Sequence, residues 1–192
     1  RFFLGRDSQG LKVHIKLFQP DSRTNLSFEE QLQRFRRECE IHHFLNHPRI
    51  VPALDVFDLE GYPCLVTEYK PFPSLETLLQ SQHALSLLET LILIQQLCQA
   101  LHYLHDQGVI HRDIKPENII YVDNNTLCLI DWGFATTIED KKEKPYCGSV
   151  MFVSERILKQ MIKNENNWSI GVVYTAIDDL VGLLKTIMYM IC

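Results

Sequence analysis

Between His111 and Gly133 the chain reads His111-Arg112-Asp113-Ile114-Lys115-Pro116-Glu117-Asn118, then two short apolar runs, then Asp131-Trp132-Gly133. Asp113 stands five positions before Asn118, and Asp131 follows thirteen positions after it. Ile119 to Val122 and Leu127 to Ile130 read as strands on either side of Asp123-Asn124-Asn125, a run rich in turn formers. Any fold of this chain therefore has to hold two acids, an amide and a lysine within a single hairpin.

That set matches one kind of chemistry. Moving a phosphoryl group needs a carboxylate near the attacking hydroxyl, a cation on the transferring group and oxygen ligands for magnesium. Asp113, Lys115, Asn118 and Asp131 could supply all of them. Taken singly, each would more often be a solvated surface group; the ordered string carries the reading. In that order the chain resembles a eukaryotic-type protein kinase domain. The resemblance implies that Asp113 is the base or orienting acceptor for a substrate hydroxyl. It implies that Lys115 neutralises the transferring phosphate and that Asn118 and Asp131 ligate Mg2+. Lysine at position 115 is typical of the serine/threonine type. Arg112 should link the catalytic loop to the activation segment. ATP and Mg2+ are the expected cofactors, and a protein with a serine or threonine acceptor is the expected partner.

The rest of the chain is consistent with that family. Arg1 to Arg6 and Leu11 to Phe18 read as strands about the turn Asp7-Ser8-Gln9-Gly10. In the second strand Lys12, His14 and Lys16 alternate with Val13, Ile15 and Leu17, giving one polar and one apolar face. Ser27-Phe28-Glu29-Glu30 is a capping box that opens a helix to about Leu45, stopped at His47-Pro48. Val51 to Asp58 and Pro63 to Tyr69 are two more strands. Lys70-Pro71-Phe72-Pro73 is a stiff connector, Ser74 caps a short helix, and Leu87 to His105 is a long amphipathic helix ending at Gln107-Gly108. The expected architecture is α+β and two-lobed: a small antiparallel β lobe with one helix over residues 1–70, then a mainly helical lobe over 71–192.

By the same resemblance, Lys16 is the nucleotide-binding lysine and Glu38 its ion-pair partner. Thr67 takes the gatekeeper place, Glu68, Tyr69 and Lys70 would meet adenine through their backbone, and Ile120 would form the adenine floor. On their own residues, Lys16 reads equally well as an edge-strand charge and Glu38 as one more acid on a charged helix. Trp132 replaces the usual phenylalanine, packed beside His111 with His42 completing the stack. Ser149 matches a residue near the substrate. Thr136, Thr137 and Tyr146 are exposed-loop hydroxyls that phosphorylation would suit. The core helix of the second lobe has two candidates, Asn167-Trp168-Ser169-Ile170-Gly171 and Asp178-Asp179-Leu180-Val181-Gly182-Leu183; the second is preferred because its acid can hold the catalytic-loop backbone.

The departures matter too. Gly5 and Gly10 do not form a Gly-rich phosphate loop. His14 stands where the family has a small alanine above adenine, so imidazole should crowd the nucleotide or stack on it. Ser154-Glu155-Arg156 replaces Ala-Pro-Glu, and Arg156 cannot pair with the arginine that normally meets the glutamate. The chain thus reads as a kinase domain incomplete at both ends, expected to expose apolar surface. Two other classes remain open at this level: a pseudokinase acting as a scaffold, and a small-molecule phosphotransferase. The net charge of -5 over 192 residues argues against nucleic-acid or anionic-membrane binding. Six scattered cysteines favour a reducing, cytoplasmic or nuclear setting. The greasy stretch from Ile170 to Cys192 is broken by Asp178 and Asp179 and reads as a buried helix rather than a membrane span.

Overall fold

A computed structural model describes the chain except at residues 25, 82–84, 123–125, 141–143, 146–148, 164–170 and 192, with backbone only at 144–145. The Asp123-Asn124-Asn125 turn, Tyr146, most of the Asn167 helix candidate and much of the charged run after Glu139 lie outside the described residues.

The first lobe grows from local turn chemistry. The Asp7 carboxylate accepts the Gln9 and Leu11 N–H groups at 2.9 and 2.8 Å, and Gly10 takes the left-handed conformation at φ 83°. This turn joins β1 (Phe2–Arg6) to β2 (Lys12–Leu17), with Phe2 opposite Lys16. α1 (Phe28–Phe44) opens on the expected capping box: Ser27 Oγ accepts the Glu30 N–H and Glu30 accepts the Ser27 N–H. β3 (Ala53–Leu59) and β4 (Tyr62–Glu68) complete an antiparallel sheet in the order β1-β2-β4-β3. Leu32, Phe35 and Cys39 of α1 pack on Phe18 and Leu65 to form this lobe's core. β2 is an inner strand, so Lys16 is not an edge charge.

β3 begins two residues later than Val51 for a physical reason. The Val51 N–H is already donated to Leu129 O at 3.2 Å, and Leu129 N–H to Arg49 O at 2.8 Å. Residues 49–51 are thus paired with the second lobe.

α2 (Leu75–Ser81) starts at Ser74, whose hydroxyl accepts the Thr77 N–H at 3.1 Å. α3 (Leu87–Asp106) opens on a second capping box, Ser86 with Glu89, and ends where Gly108 adopts φ 70°. Its Leu93, Leu97, Leu101 and Leu104 are almost wholly enclosed, each stabilising the fold by roughly 1.5–3 kcal/mol. β5 (Val109–Ile110) leads into the catalytic loop, and a 3-10 turn at Pro116–Asn118 leads into β6 (Ile119–Val122) and β7 (Thr126–Leu129). β8 (Thr136–Thr137) pairs with β5, and β9 (Lys144–Pro145) pairs with β10 (Gly171–Val172). α4 (Glu155–Lys163) and α5 (Ala176–Ile191) complete the second lobe. The whole is an α+β, two-lobed arrangement.

α5 departs from the buried helix expected of its composition. Gly182, Leu183, Thr186 and Met190 face inward, while Ile177, Leu180, Leu184, Met188 and Ile191 form an exposed apolar stripe. Among the described residues no element covers the outer stripe, so burial stops at half the helix. Among the described residues no helix is long and apolar enough to cross a membrane.

Gly182 makes the inward contact tight. A Cβ there would lie 3.1 Å from both Cβ and O of Ile114. We expect Gly182→Ala to destabilise by about 1 kcal/mol, because overpacking against the catalytic-loop backbone outweighs the gain in helix propensity. A urea midpoint that rises instead would show that α5 can shift freely.

Candidate active site

The catalytic loop hangs from α5. The backbone N–H groups of His111 and Arg112 donate to Asp179 Oδ2 and Oδ1, each at 2.8 Å, and His105 Nε2 lies 3.0 Å from the same carboxylate. Of the two core-helix candidates, Asp178-Asp179 is the one that supplies this anchor. Arg112 accepts a left-handed backbone at φ 72°, which such anchoring can enforce. Beyond the bend Asp113 is buried. Its Oδ2 accepts Asn118 Nδ2 at 2.8 Å and Lys115 Nζ at 2.9 Å. Asn118 Nδ2 also donates to Asp113 O at 2.9 Å, so the amide nitrogen is committed and the amide oxygen is left as an acceptor.

A second cluster meets this one from the other lobe. Lys16 on β2 and Glu38 on α1 form a close ion pair, and Lys16 Nζ lies 3.6 Å from Asp131 Oδ1. Ile130 N–H donates to Asn118 O at 3.0 Å, which carries Asp131 back beside Asn118. Burial pushes the Glu38 carboxyl upward; Lys16 pulls it back and the Asp131 charge pushes it up again. Burial also drives Asp131 upward, but Lys16, the Gly133 N–H, His111 and Lys115 outweigh it and hold this carboxyl below its usual range. Asp131 therefore stays ionised at neutral pH.

These donors fit a magnesium ion carried by a polyphosphate. Among the described residues there is no group of three or more His, Cys, Asp or Glu able to cage a metal. Magnesium is commonly held by one or two protein oxygens, with phosphate and water completing the shell. The ionised Asp131 carboxylate and the Asn118 amide oxygen are such a pair.

Behind Asp131 the expected ring stack is present. Trp132 lies between His42 and His111, with ring centroids 5.5 and 4.8 Å apart. His42 Nε2 contacts Val51 O at 2.7 Å, and His111 Nε2 contacts Ile130 O at 3.2 Å. Burial pushes the His42 pKa down to about 4, helped by the nearby positive charge of Lys16. The sign follows: below the ordinary histidine pKa the unfolded chain takes up a proton that the folded chain refuses. Stability attributable to His42 is complete above pH 6.5 and falls toward pH 4, by about 2 kcal/mol at pH 5. Denaturation at pH 7 and pH 5 should show that loss in the wild type and its removal in His42→Leu.

At the back of the cleft Thr67, the penultimate residue of β4, stands opposite His14 and Ala53. Glu68 donates its N–H to Pro52 O at 3.1 Å, so that group is not free for a ligand. Its carboxylate pairs with Lys70 Nζ at 2.6 Å. The His14 ring meets Tyr69 edge-on at 4.9 Å, so the imidazole leans on the residue just before the connector. Ile120, partly exposed, bridges to Ser74 at the end of the connector.

The activation-segment residues are distributed unevenly. Arg34 Nε donates to Gly133 O at 2.6 Å with its guanidinium 4.0 Å from the Phe134 ring, while Arg112 Nη1 donates to Phe134 O at 3.2 Å. Arg34 was not singled out from sequence; its spacing of four before Glu38, one helical turn, was the available signal. Thr136 is buried in β8, paired with Ile110, which removes it as an accessible phosphorylation site; Thr137 is exposed. Ser149 and Asp113 both line a small pocket between the catalytic loop and α5. Arg156 has no glutamate's role to play, yet it is not idle: its Nη2 lies 2.6 Å from Asp178 Oδ2.

Comparison with known proteins agrees with this geometry. A family model described as protein kinase domain matches residues 4–178. The human NUAK family SNF1-like kinase 1 is 32% identical over 173 residues, covering 88% of this chain and 26% of that protein. An Aurora kinase of Eremothecium gossypii is 34% identical over 143 residues, covering 73% and 39%. The cell cycle serine/threonine-protein kinase CDC5/MSD2 of Saccharomyces cerevisiae is 29% identical over 164 residues, covering 81% and 23%. The chain thus spans between about a quarter and two fifths of the length of these relatives. With a Lys16–Glu38 pair in the first lobe facing Asp131 of the second, an anchored Asp113 loop and a family model over most of its length, the chain belongs to the eukaryotic-type protein kinase domain family, of the serine/threonine type.

Proposed function

We propose that this chain transfers the γ-phosphate of ATP to serine or threonine hydroxyls of a protein inside the cell. The observation that carries the reading is the convergence of Lys16, Glu38 and Asp131 across the lobes with Asp113, Lys115 and Asn118 beneath them. In this reading residues 1–70 form the small lobe and 71–192 belong to the large one. Asp113 orients the acceptor hydroxyl and takes up its proton. Lys115 and Lys16 steady phosphate oxygens, and Glu38 keeps Lys16 extended. Asn118 and Asp131 hold Mg2+, which when bound offsets charge between the phosphates. Thr67, Tyr69, Lys70 and Ile120 flank the adenine, with Glu68 contributing through its position rather than its N–H. The Lys16–Glu38 and Lys16–Asp131 ion pairs would be idle in a pure scaffold.

A thermal-shift titration with ATP, with and without Mg2+, joined to transfer of labelled γ-phosphate to a serine-rich acceptor protein, tests the reading. Ligand at a hundred times its Kd should add about 2.7 kcal/mol of stability. Lys16→Met is expected to lose most of that magnesium-dependent gain while keeping the fold. A wild type that ATP does not stabilise in the presence of magnesium would refute it.

A further inference from the structure

The first turn of α5 carries two consecutive buried acids with different tasks. Asp179 holds the catalytic loop. Asp178 takes donors from Ser154 Oγ at 2.6 Å, Arg156 Nη2 at 2.6 Å, and Thr175 N and Oγ1 at 2.8 and 3.1 Å. The same side of the helix continues at Gly182, whose Cβ position is 3.7 Å from Phe152 O. Lys185 Nζ then donates to Val153 O at 2.7 Å, and the Tyr189 ring meets Phe152 at 6.0 Å. Positions 178, 182, 185 and 189 fall on one helical stripe. All four address the short segment Phe152–Arg156. The Phe152 N–H donates to Ser149 O at 3.1 Å, so a hold on Phe152–Arg156 passes through one turn to Ser149, which lines the same small pocket as Asp113.

We propose that this stripe sets the register of Ser149–Arg156 against the catalytic loop, with Arg156 and Lys185 as positioning residues for the acceptor protein. The inference rests on the phosphoryl-transfer reading above. It gives the Arg156 substitution a physical use: the segment is tied by an arginine to an acid on α5, close at hand, instead of by an acid to a distant arginine. Arg156 Nη2 also donates to Val173 O at 2.9 Å, which fixes the approach to α5 in the same knot. None of these contacts touches Lys16, Glu38 or Asp131, so the nucleotide side is untouched by their loss.

The test compares wild type, Arg156→Ala, Arg156→Lys and Lys185→Met. Initial rates are measured against acceptor protein and against ATP, and hydrogen exchange is followed over residues 149–156. Arg156→Ala and Lys185→Met should raise KM for the acceptor about tenfold at unchanged KM for ATP, well inside the hundredfold that a 1 Å misplacement can cause. Arg156→Lys, which keeps a cation beside Asp178, should recover most of the loss. Exchange over 149–156 should quicken in the two disruptive variants, with α1 and β4 unaltered. An unchanged acceptor KM, or equal rises for acceptor and ATP, overturns the positioning role. If the wild type transfers no phosphate, the proposed function fails instead, and exchange alone then decides whether Arg156 and Lys185 hold the segment.

Discussion

Asp113→Asn is expected to lower phosphoryl transfer by about 10²–10⁴-fold, the usual reach of a positioned acid or base, with the ATP-dependent thermal shift preserved. The substitution keeps shape. It removes the charge that accepts Lys115 Nζ and Asn118 Nδ2 at 2.9 and 2.8 Å. A carboxamide can still accept from Asn118, so the loop should hold, but it cannot take a proton from an incoming hydroxyl. Lys115 loses its carboxylate partner as well, and its ammonium becomes freer to wander. Initial rates at saturating ATP, read beside the thermal shift, separate lost chemistry from lost binding. Turnover within a factor of two of wild type would remove Asp113 from the assigned role.

Asp179→Ala should be the most destabilising single change among the residues discussed. The carboxylate is buried and serves two backbone N–H groups and the His105 ring. Deleting it leaves those donors enclosed without acceptors, a loss of roughly 3–5 kcal/mol. Against a total stability of about 5–15 kcal/mol, much of the population could unfold. Urea denaturation of the wild type and variant measures this directly. A loss below about 1 kcal/mol would mean that water reaches the loop and replaces the carboxylate.

How far the sequence could be read depended on whether a feature was local. Ser27 with Glu30, the Asp7 to Gly10 turn and the Gly108 stop depend on neighbours a few residues away, and they stand where local chemistry puts them. The His111 to Asp131 string was legible because its spacing is itself the geometry. The Asp179 anchor could be preferred from sequence because Asp178-Asp179-Leu180 resembles a form of the family's core helix, whose acid can cap the helix and hold the catalytic-loop backbone. The Arg156 to Asp178 pair joins residues from different elements, and nothing in Ser154-Glu155-Arg156 names its partner. The same holds for Arg34 reaching Gly133. The half-exposed face of α5 was missed because composition reports how apolar a helix is, not how many sides of it are covered. Thr136 was misjudged because its two-residue strand is too short to carry an alternating pattern.

The pairing of residues 49–51 with β7 bears on motion. That stretch is bonded below, and the Asn46 N–H donates to Tyr103 Oη at 2.8 Å. If the upper sheet swings, it should bend near Pro52 and along Pro71 to Pro73, leaving the root of α1 seated on α3. Prolines at both bending points restrict the available torsions, so the jaws would open along one preferred arc rather than sliding sideways.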